Sequence, residues 1–194
     1  MEESERLVTI LNTLMDISEA ETGLMQLDRQ RFPLAPLVAE IVELFELVAE
    51  DKRITQTTEV PTELVCFADR NRLRQVLANL LDNALKYTPS GGNVKISAQA
   101  EVDAVAIVCQ DSGIGIFAEE MPKIWDRLYR ADKSRSQRGL GLGLSLVRAI
   151  INAHGGRAEV QSTPGQGSTF IVHMPTPPHA AQPVSPPDPE PVRG

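Results

Sequence analysis

Helix-like and short strand-like stretches alternate along most of this 194-residue chain, and this alternation predicts an α/β fold. A segment from about Arg70 to Tyr87 carries one apolar stripe at helical spacing. Two strand-like segments, 93–100 and 104–110, follow it and are expected to pair. The second is almost wholly apolar, which is typical of a strand at the centre of a sheet.

The elements before this central helix are predicted in chain order. Residues 1–26 form an amphipathic helix, and a lone helix cannot bury its stripe, so we expect a partner helix from another chain. A second helix is expected over 34–52. Short strands at 54–59 and 65–68 follow, and Asp69 is placed to cap the central helix.

The elements predicted near the carboxyl end of the chain are a helix that ends at two glycines and a β-hairpin. Residues 144–153 return to helical periodicity and stop at Gly155 and Gly156. Strands at 157–162 and 168–174 then read as a hairpin. From residue 176 the composition is rich in Pro, and we expect a disordered tail over 176–194.

Composition excludes several classes of protein. The net charge is −7 without a long basic run, which argues against nucleic acid as a partner. Cys66 and Cys109 lie in apolar contexts without metal-site spacing, so buried free thiols are expected. No apolar stretch is long enough to cross a bilayer, and we expect a soluble chain.

The central helix carries an unusual polar face. Asn79, Asn83, Lys86 and Tyr87 fall within an arc of about 100°. Asn is a poor helix former, and two of them four apart in mid-helix go against local preference. Two carboxamides, an ammonium and a ring suit an anion, a hard cation and a flat ligand. An ordinary polar face that happens to hold two Asn is the alternative.

Two glycine motifs flank a charged segment. Residues 111–116 read Asp-Ser-Gly-Ile-Gly-Ile directly after a buried strand, which suits a planar ligand but also an ordinary turn. Residues 139–144 read Gly-Leu-Gly-Leu-Gly-Leu before a helix, which suits phosphate binding but also a hinge. The cationic segment between them can close over phosphates or be a solvated loop.

Together these four signals closely resemble the carboxy-terminal part of bacterial two-component sensor histidine kinases. The matching motifs are 79–87 (N box), 111–115 (G1), 124–130 (F box) and 139–143 (G2). The resemblance implies a Bergerat-type fold, a two-layer sandwich of helices on one face of a mixed sheet, preceded by a bundle helix. It divides the chain into a partial dimerisation region (1–30), an ATP-binding catalytic domain (31–175) with a lid at about 117–138, and the tail.

The resemblance also implies a site for ATP and Mg²⁺. Asn83 would give an amide oxygen to Mg²⁺, and Asn79, Lys86 and Arg130 would form the catalytic set near the phosphates. Tyr87 would pack beside the adenine, whose amino group would bind Asp111. Gly113 and Gly115 would shape the purine pocket, and Gly141 and Gly143 would enclose the triphosphate. The remaining nucleotide-binding residues would be Ile116, Gly139 and Leu142.

Three positions depart from the family pattern. Trp125 and Leu128 stand where Phe is common, and Phe117 stands where Pro is frequent. These changes affect how the lid is anchored more than nucleotide chemistry. Trp125 and Leu128 are both apolar, so we expect them to anchor the lid on the domain.

The family's phosphoacceptor histidine has no counterpart here. It lies on the first of two dimerisation helices, and residues 1–26 resemble the second. His154, His173 and His179 lack the acceptor context, so we expect the acceptor helix to be missing from this chain. The implied partners are that histidine-bearing helix, the receiver domain of a response regulator and a second copy of the chain. The implied location is the cytoplasmic portion of a membrane-bound sensor.

Three functions stay open at this point. The first is a kinase domain that transfers the ATP γ-phosphoryl to a histidine elsewhere. The second is an ATPase of the same fold, whose members place a Glu four residues before the metal-binding Asn. Here that position is Asn79, which cannot take a proton near neutral pH, so the kinase is favoured. The third is a non-catalytic fragment that binds ATP or only dimerises.

Overall fold

The computed structural model describes residues 2–129 and 140–177 and confirms the α/β fold. The helices are α1 (Glu2–Glu21), α2 (Leu34–Leu44), α3 (Glu46–Lys52), α4 (Arg70–Tyr87) and α5 (Gly143–Ala153). The strands are β1 (Arg29–Pro33), β2 (Thr55–Glu59), β3 (Val65–Asp69), β4 (Asn93–Ala100), β5 (Ala104–Asp111), β6 (Arg157–Thr163) and β7 (Gly167–Pro175).

Five strands form a mixed sheet in the order β2-β4-β5-β7-β6. Only the β2–β4 pair is parallel; β4–β5, β5–β7 and β6–β7 are antiparallel. β5 lies at the centre of the sheet, as its apolar sequence predicts. The β6–β7 hairpin and the β4–β5 pair are both confirmed.

Helices α4 and α5 cover one face of this sheet and form the second layer. Their apolar stripes are buried with the inward-facing side chains of the strands, so a single core lies between the layers. Each large aliphatic side chain buried this way contributes about 1.5–3 kcal/mol. The largest of these side chains are Leu73, Leu77, Leu80, Leu81, Leu85, Ile96, Ile107 and Ile150.

Helix α4 is fixed at both ends. Oδ1 of Asp69 accepts hydrogen bonds from the backbone N–H groups of Asn71 and Arg72, each at 3.0 Å, which confirms the predicted cap. At the other end the Lys52 ammonium donates to the carbonyl oxygen of Leu85 at 2.6 Å. A helix capped in this way holds the side chains along it in a defined register.

His154 joins the carboxyl end of α5 to the start of α4. Its Nε2 accepts a hydrogen bond from the backbone N–H of Asp69 at 3.1 Å, and its Nδ1 donates to the carbonyl oxygen of Ile150 at 2.8 Å. These two partners require the neutral imidazole. Burial lowers the pKa of His154, in keeping with the neutral form.

Three local features differ from the sequence-based prediction. Strand β1 was not predicted, because its sequence is polar apart from Phe32 and it forms by antiparallel pairing with β3. The predicted helix over 34–52 is broken at Phe45, whose ψ of 6° leaves the helical range. Helix α1 ends at Glu21 rather than near residue 26, and Gly23 follows with a φ of +73°.

The apolar stripe of α1 is partly covered by its own chain, contrary to the expectation of a partner helix alone. Ile17 is fully buried, and Ile10 and Leu14 pack against the core. Leu7 and Leu11 on the same stripe stay exposed. Within the described residues, none of the helices has the length and apolar character that crossing a bilayer requires.

The two cysteines are buried free thiols, as predicted. Burial raises the pKa of both Cys66 and Cys109 to about 12. Thiols of this kind act as small core side chains and are poor nucleophiles.

Candidate functional site

A cavity of about 400 Å³ lies between α4, the amino end of α5 and α1. Its volume is in the range of small-molecule sites, about 300–1,000 Å³. The cavity brings together residues from three of the motifs that the sequence singled out. Among them are Asn79, Asn83, Lys86 and Tyr87 of the N box, Ile124 and Tyr129 of the F box, and Gly141, Leu142 and Gly143 of the second glycine motif.

Asn79 faces the start of α5. Its Nδ2 donates to the backbone carbonyl oxygen of Gln75 at 2.8 Å, which fixes the carboxamide against its own helix. A Cβ placed on Gly143 would lie only 2.8 Å from Asn79 Oδ1. The two residues therefore form one continuous surface, and a side chain at position 143 fits only if the Asn79 carboxamide moves.

Among the described residues, none accepts a hydrogen bond from the backbone N–H groups of Gly143 and Leu144 at the amino end of α5. Leu142 is the N-cap residue and makes no side-chain capping bond. The first helical hydrogen bond runs from the N–H of Leu146 to the carbonyl oxygen of Leu142 at 3.0 Å. Gly143 and Leu144 precede that bond and line the cavity. Free N–H groups and the positive end of the helix dipole make this an anion site.

Asn83 is available as a ligand for a cation. None of the residues described in the structure forms a hydrogen bond with its carboxamide, and the residue lines the cavity. The neighbouring Asp82 lines the same cavity and forms an ion pair with Lys86. An amide oxygen beside a carboxylate oxygen is a donor set that fits a hard cation such as Mg²⁺.

Asp111 lies beside the Tyr87 end of α4, next to the cavity rather than in its lining. Only 7% of Asp111 is exposed, and burial raises the pKa of its carboxyl group. Its Oδ1 accepts from the N–H of Gly113 at 2.8 Å and of Ser168 at 3.2 Å. Among the described residues no donor reaches its second oxygen, which is thus free for the amino group of a ligand.

The glycines after Asp111 are required by close backbone contacts. A Cβ on Gly113 would lie 2.6 Å from the carbonyl oxygen of Tyr87. Gly115 has a φ of +68°, and a Cβ there would collide with the backbone of Thr163. Ile116 follows, half-buried against the core. The first glycine motif thus packs directly on the carboxyl end of α4.

The segment before the second glycine motif is anchored by one of the two predicted residues. Trp125 packs edge-on against Phe170, with ring centroids 6.1 Å apart. Leu128 is 61% exposed, so the prediction that it anchors the segment is wrong. Its N–H instead donates to the carbonyl oxygen of Gly141 at 2.9 Å. This backbone bond, rather than apolar packing, fixes position 128.

Two predicted site residues, Arg130 and Gly139, lie outside the described residues. The same holds for most of the cationic part of the predicted lid, from residue 130 to 138. Their roles therefore stay predictions.

Comparison with known proteins identifies the family. Residues 68–178, more than half of the chain, match the family model described as histidine kinase-, DNA gyrase B-, and HSP90-like ATPase. The chain belongs to this ATPase family. ATP is accordingly the nucleotide that the family match supports for the cavity.

Within this ATPase family, the similarities are to sensor histidine kinases. The chain is 31% identical over 179 residues to the sensor protein SrrB of Staphylococcus aureus, and the match covers 91% of this chain and 31% of that protein. The chain thus spans about a third of the length of the curated relatives it matches, and corresponds to their carboxy-terminal catalytic region.

Two solved structures support the same assignment. Full-length ShkA, in complex with AMPPNP, has a TM-score of 0.78 and 28% identity, and the match covers 90% of this chain and 36% of ShkA. Histidine kinase ThkA, in complex with the response regulator protein TrrA, has a TM-score of 0.72 and 30% identity, covering 92% of this chain and 50% of that one. The Bergerat-type fold implied by the motifs is therefore confirmed.

Several cavity residues of this ATPase domain were missed from the sequence. Asp82 lies inside the N box, between apolar positions and Asn83, and its acidity was a signal that could have been used. Thr9, Ile10 and Thr13 of α1 line the cavity as well. Their presence depends on how α1 docks, which the spacing of its residues does not reveal.

Proposed function

We propose that this chain is the ATP-binding catalytic domain of a sensor histidine kinase, which transfers the γ-phosphoryl group of ATP to a histidine outside this chain. The observation that carries the proposal is the meeting of the α4 carboxamides with the uncapped amino end of α5 in one cavity. The likeness to SrrB and ThkA supports the choice of a histidine kinase within the family.

The site offers a distinct group for each part of the nucleotide. The amino end of α5 and the ammonium of Lys86 bind the phosphates, and Asn79 completes the phosphate surface beside Gly143. The free oxygen of Asp111 accepts the adenine amino group, and Tyr87 packs beside the ring. Lys86 gives up its pairing with Asp82 when the phosphates arrive.

Asn83 and Asp82 would hold Mg²⁺, and the cation would neutralise charge on the phosphate oxygens. The work of the protein in phosphoryl transfer is then positioning and electrostatic stabilisation. Arg130 joins the phosphate-binding set in this proposal because of its place in the F box.

Transfer to histidine is favoured over hydrolysis. The hydrolysing relatives need a carboxylate four residues before the metal-binding Asn to activate water. Asn79 occupies that position, and its Nδ2 is held by the Gln75 carbonyl oxygen. A carboxamide in this arrangement cannot take a proton from water. Among the described residues that line the cavity, the remaining carboxylate is Asp82, and in the nucleotide-bound state it would be occupied as a ligand of Mg²⁺.

The proposed partners follow from the same assignment. They are the histidine-bearing helix of the kinase, the receiver domain of a response regulator, and a second copy of the chain docked through α1. The exposed side chains Leu7, Leu11 and Met15 of α1 support the last of these. ATP as substrate supports a cytoplasmic location for the domain.

A transfer assay tests this function. The chain is incubated with Mg²⁺, γ-³²P-labelled ATP and a separately supplied helix pair that bears the acceptor histidine. We expect acid-labile label on the supplied helix pair and none on the chain itself, since none of its three histidines has an acceptor context. Self-labelling of the chain that is acid-labile, or release of free phosphate without labelled helix, would contradict the proposal.

The matched variants are Asn83→Ala and Asn12→Ala. Asn12 is an exposed residue of α1 away from the cavity lining, and its loss should leave transfer unchanged. Loss of the Asn83 carboxamide removes a metal ligand and should reduce transfer by about tenfold or more, the equivalent of about 1.4 kcal/mol. Equal effects of the two substitutions would show that the cation assignment is wrong.

A further inference from the structure

One wall of the cavity comes from outside the nucleotide motifs. Thr9, Ile10 and Thr13 of α1 line it, and their spacing places them on one face of the helix. Asp16, one turn further on, accepts a hydrogen bond from Nε2 of Gln75 at 3.4 Å. Gln75 precedes Asn79 by one turn on α4, so α1 lies at the phosphate end of the cavity rather than the Tyr87 end.

Three contacts hold α1 in this position. Oδ2 of Asp16 lies 2.9 Å from Nη1 of Arg72, in an ion pair whose side chains are only 21% and 26% exposed. Glu21 forms an ion pair with Arg127, which lies in the F box. Ile17 between them is fully buried. The Glu21–Arg127 pair is exposed, so the partly buried Asp16–Arg72 pair and the buried Ile17 contribute most to holding the helix.

The docked helix forms a wall of the cavity without filling it. About 400 Å³ remains open with α1 in place. The side chains that it presents are Ile10 and two threonines, and Thr13 brings a hydroxyl group to this wall. A helix that merely blocked the site would place bulk there instead.

We propose that α1 is part of the nucleotide site and that the Thr13 hydroxyl binds a phosphate oxygen of the bound nucleotide. In the free protein this hydroxyl donates to the carbonyl oxygen of Thr9 at 2.8 Å. Rotation about the Cβ–Oγ1 bond redirects its proton without moving the side chain. The inference rests on the proposed function, because it names a further contact for the same nucleotide.

A consequence is that docking of α1 and binding of nucleotide stabilise each other. A nucleotide that contacts α1 only when the helix is docked shifts the equilibrium toward the docked state. The size of the shift equals the difference in the nucleotide's binding free energy between the docked and undocked states. The ion pair of Asp16 with Arg72 therefore affects nucleotide affinity, although neither residue lines the cavity.

Thr13→Val is the first test, with Thr22→Val as its matched control. Thr22 makes the same backward hydrogen bond, from its hydroxyl to the carbonyl oxygen of Ser18 at 2.8 Å, and lies outside the cavity lining. We expect Thr13→Val to raise the Kd for a non-hydrolysable ATP analogue about fivefold to tenfold, since a hydrogen bond to a charged group is lost. Thr22→Val should leave the Kd unchanged, and adenosine, which has no phosphate, should bind both variants equally.

A charge exchange is the second test. Asp16→Arg alone and Arg72→Asp alone should each weaken binding of the analogue about threefold, and the double variant should restore it, because the exchanged pair docks α1 again. Binding that is unchanged in Thr13→Val and in both single exchanges, while Asn83→Ala still weakens it, would overturn this inference and leave the proposed function standing. Failure of the unaltered chain to bind the analogue would instead overturn the proposed function.

Discussion

We predict that Gly143→Ala weakens nucleotide binding while it leaves the stability of the fold almost unchanged. Gly143 is the first residue of α5, and its φ does not lie in the left-handed region, so an alanine is compatible with the backbone there. The added Cβ would approach Asn79 Oδ1 to 2.8 Å, which is too close for a carbon and an oxygen. Because that oxygen ends a side chain, the contact is relieved by rotation of the Asn79 carboxamide.

The structure sets the size of each effect. Rotation of Asn79 breaks its 2.8 Å hydrogen bond to the Gln75 carbonyl oxygen, which is worth about 0.5–1.5 kcal/mol. Replacement of a helical Gly by Ala raises the free energy of unfolding by up to about 1 kcal/mol. The free energy of unfolding should therefore change by less than about 1 kcal/mol. Nucleotide affinity should fall about tenfold, because a methyl group and a displaced carboxamide now occupy the phosphate surface.

Two measurements on the same samples give these quantities. Urea unfolding gives the free energy, and the fluorescence of Trp125, the single tryptophan, follows titration with a non-hydrolysable ATP analogue. The double-mutant cycle with Asn79→Ala isolates the mechanism: once the carboxamide is absent, Gly143→Ala should weaken binding much less. Fully additive losses, or an unchanged affinity in the single variant, would refute the coupling between these residues.

Two further predictions concern buried titratable groups. Burial raises the folded-state pKa of Asp111, so its contribution to stability is present at low pH and lost as pH rises through that pKa. In urea unfolding near neutral pH, Asp111→Asn should therefore be more stable than the unaltered chain, while its affinity for adenosine falls. A less stable variant would contradict this prediction. Burial lowers the folded-state pKa of His154 below its unfolded value of about 6.5, so stability should fall as pH decreases from about 6.5 toward the folded pKa. His154→Gln should reduce that loss in a pH series of unfolding curves, and an equal loss in both proteins would exclude His154 as its source.

The central helix could be predicted from the sequence because its determinants are local. A capping Asp69 and one apolar stripe mark its extent, and the structure gives the predicted range Arg70–Tyr87. The motif residues on it and on the glycine turn of α5 meet in one cavity, as their resemblance to the family implies. Local pattern was sufficient for the helix, and the family resemblance was needed for the cavity.

Features that depend on distant partners could not be predicted in this way. Strand β1 is polar and forms through its register with β3, where Phe32 pairs with Cys66. The docking of α1 depends on Arg72 and Arg127, which are far away in sequence. The apolar character of Leu128 predicts an anchor for the lid, yet its side chain is exposed and a backbone bond to Gly141 fixes its position.

A calorimetric titration of the chain with a non-hydrolysable ATP analogue tests the central claim most directly. With Mg²⁺ present, we expect binding of one nucleotide per chain. Asn83→Ala, or removal of Mg²⁺ with a chelator, should weaken it about tenfold or more, whereas Asn12→Ala should not. No heat of binding in the presence of Mg²⁺ would contradict the claim that α4 and the amino end of α5 form an ATP site.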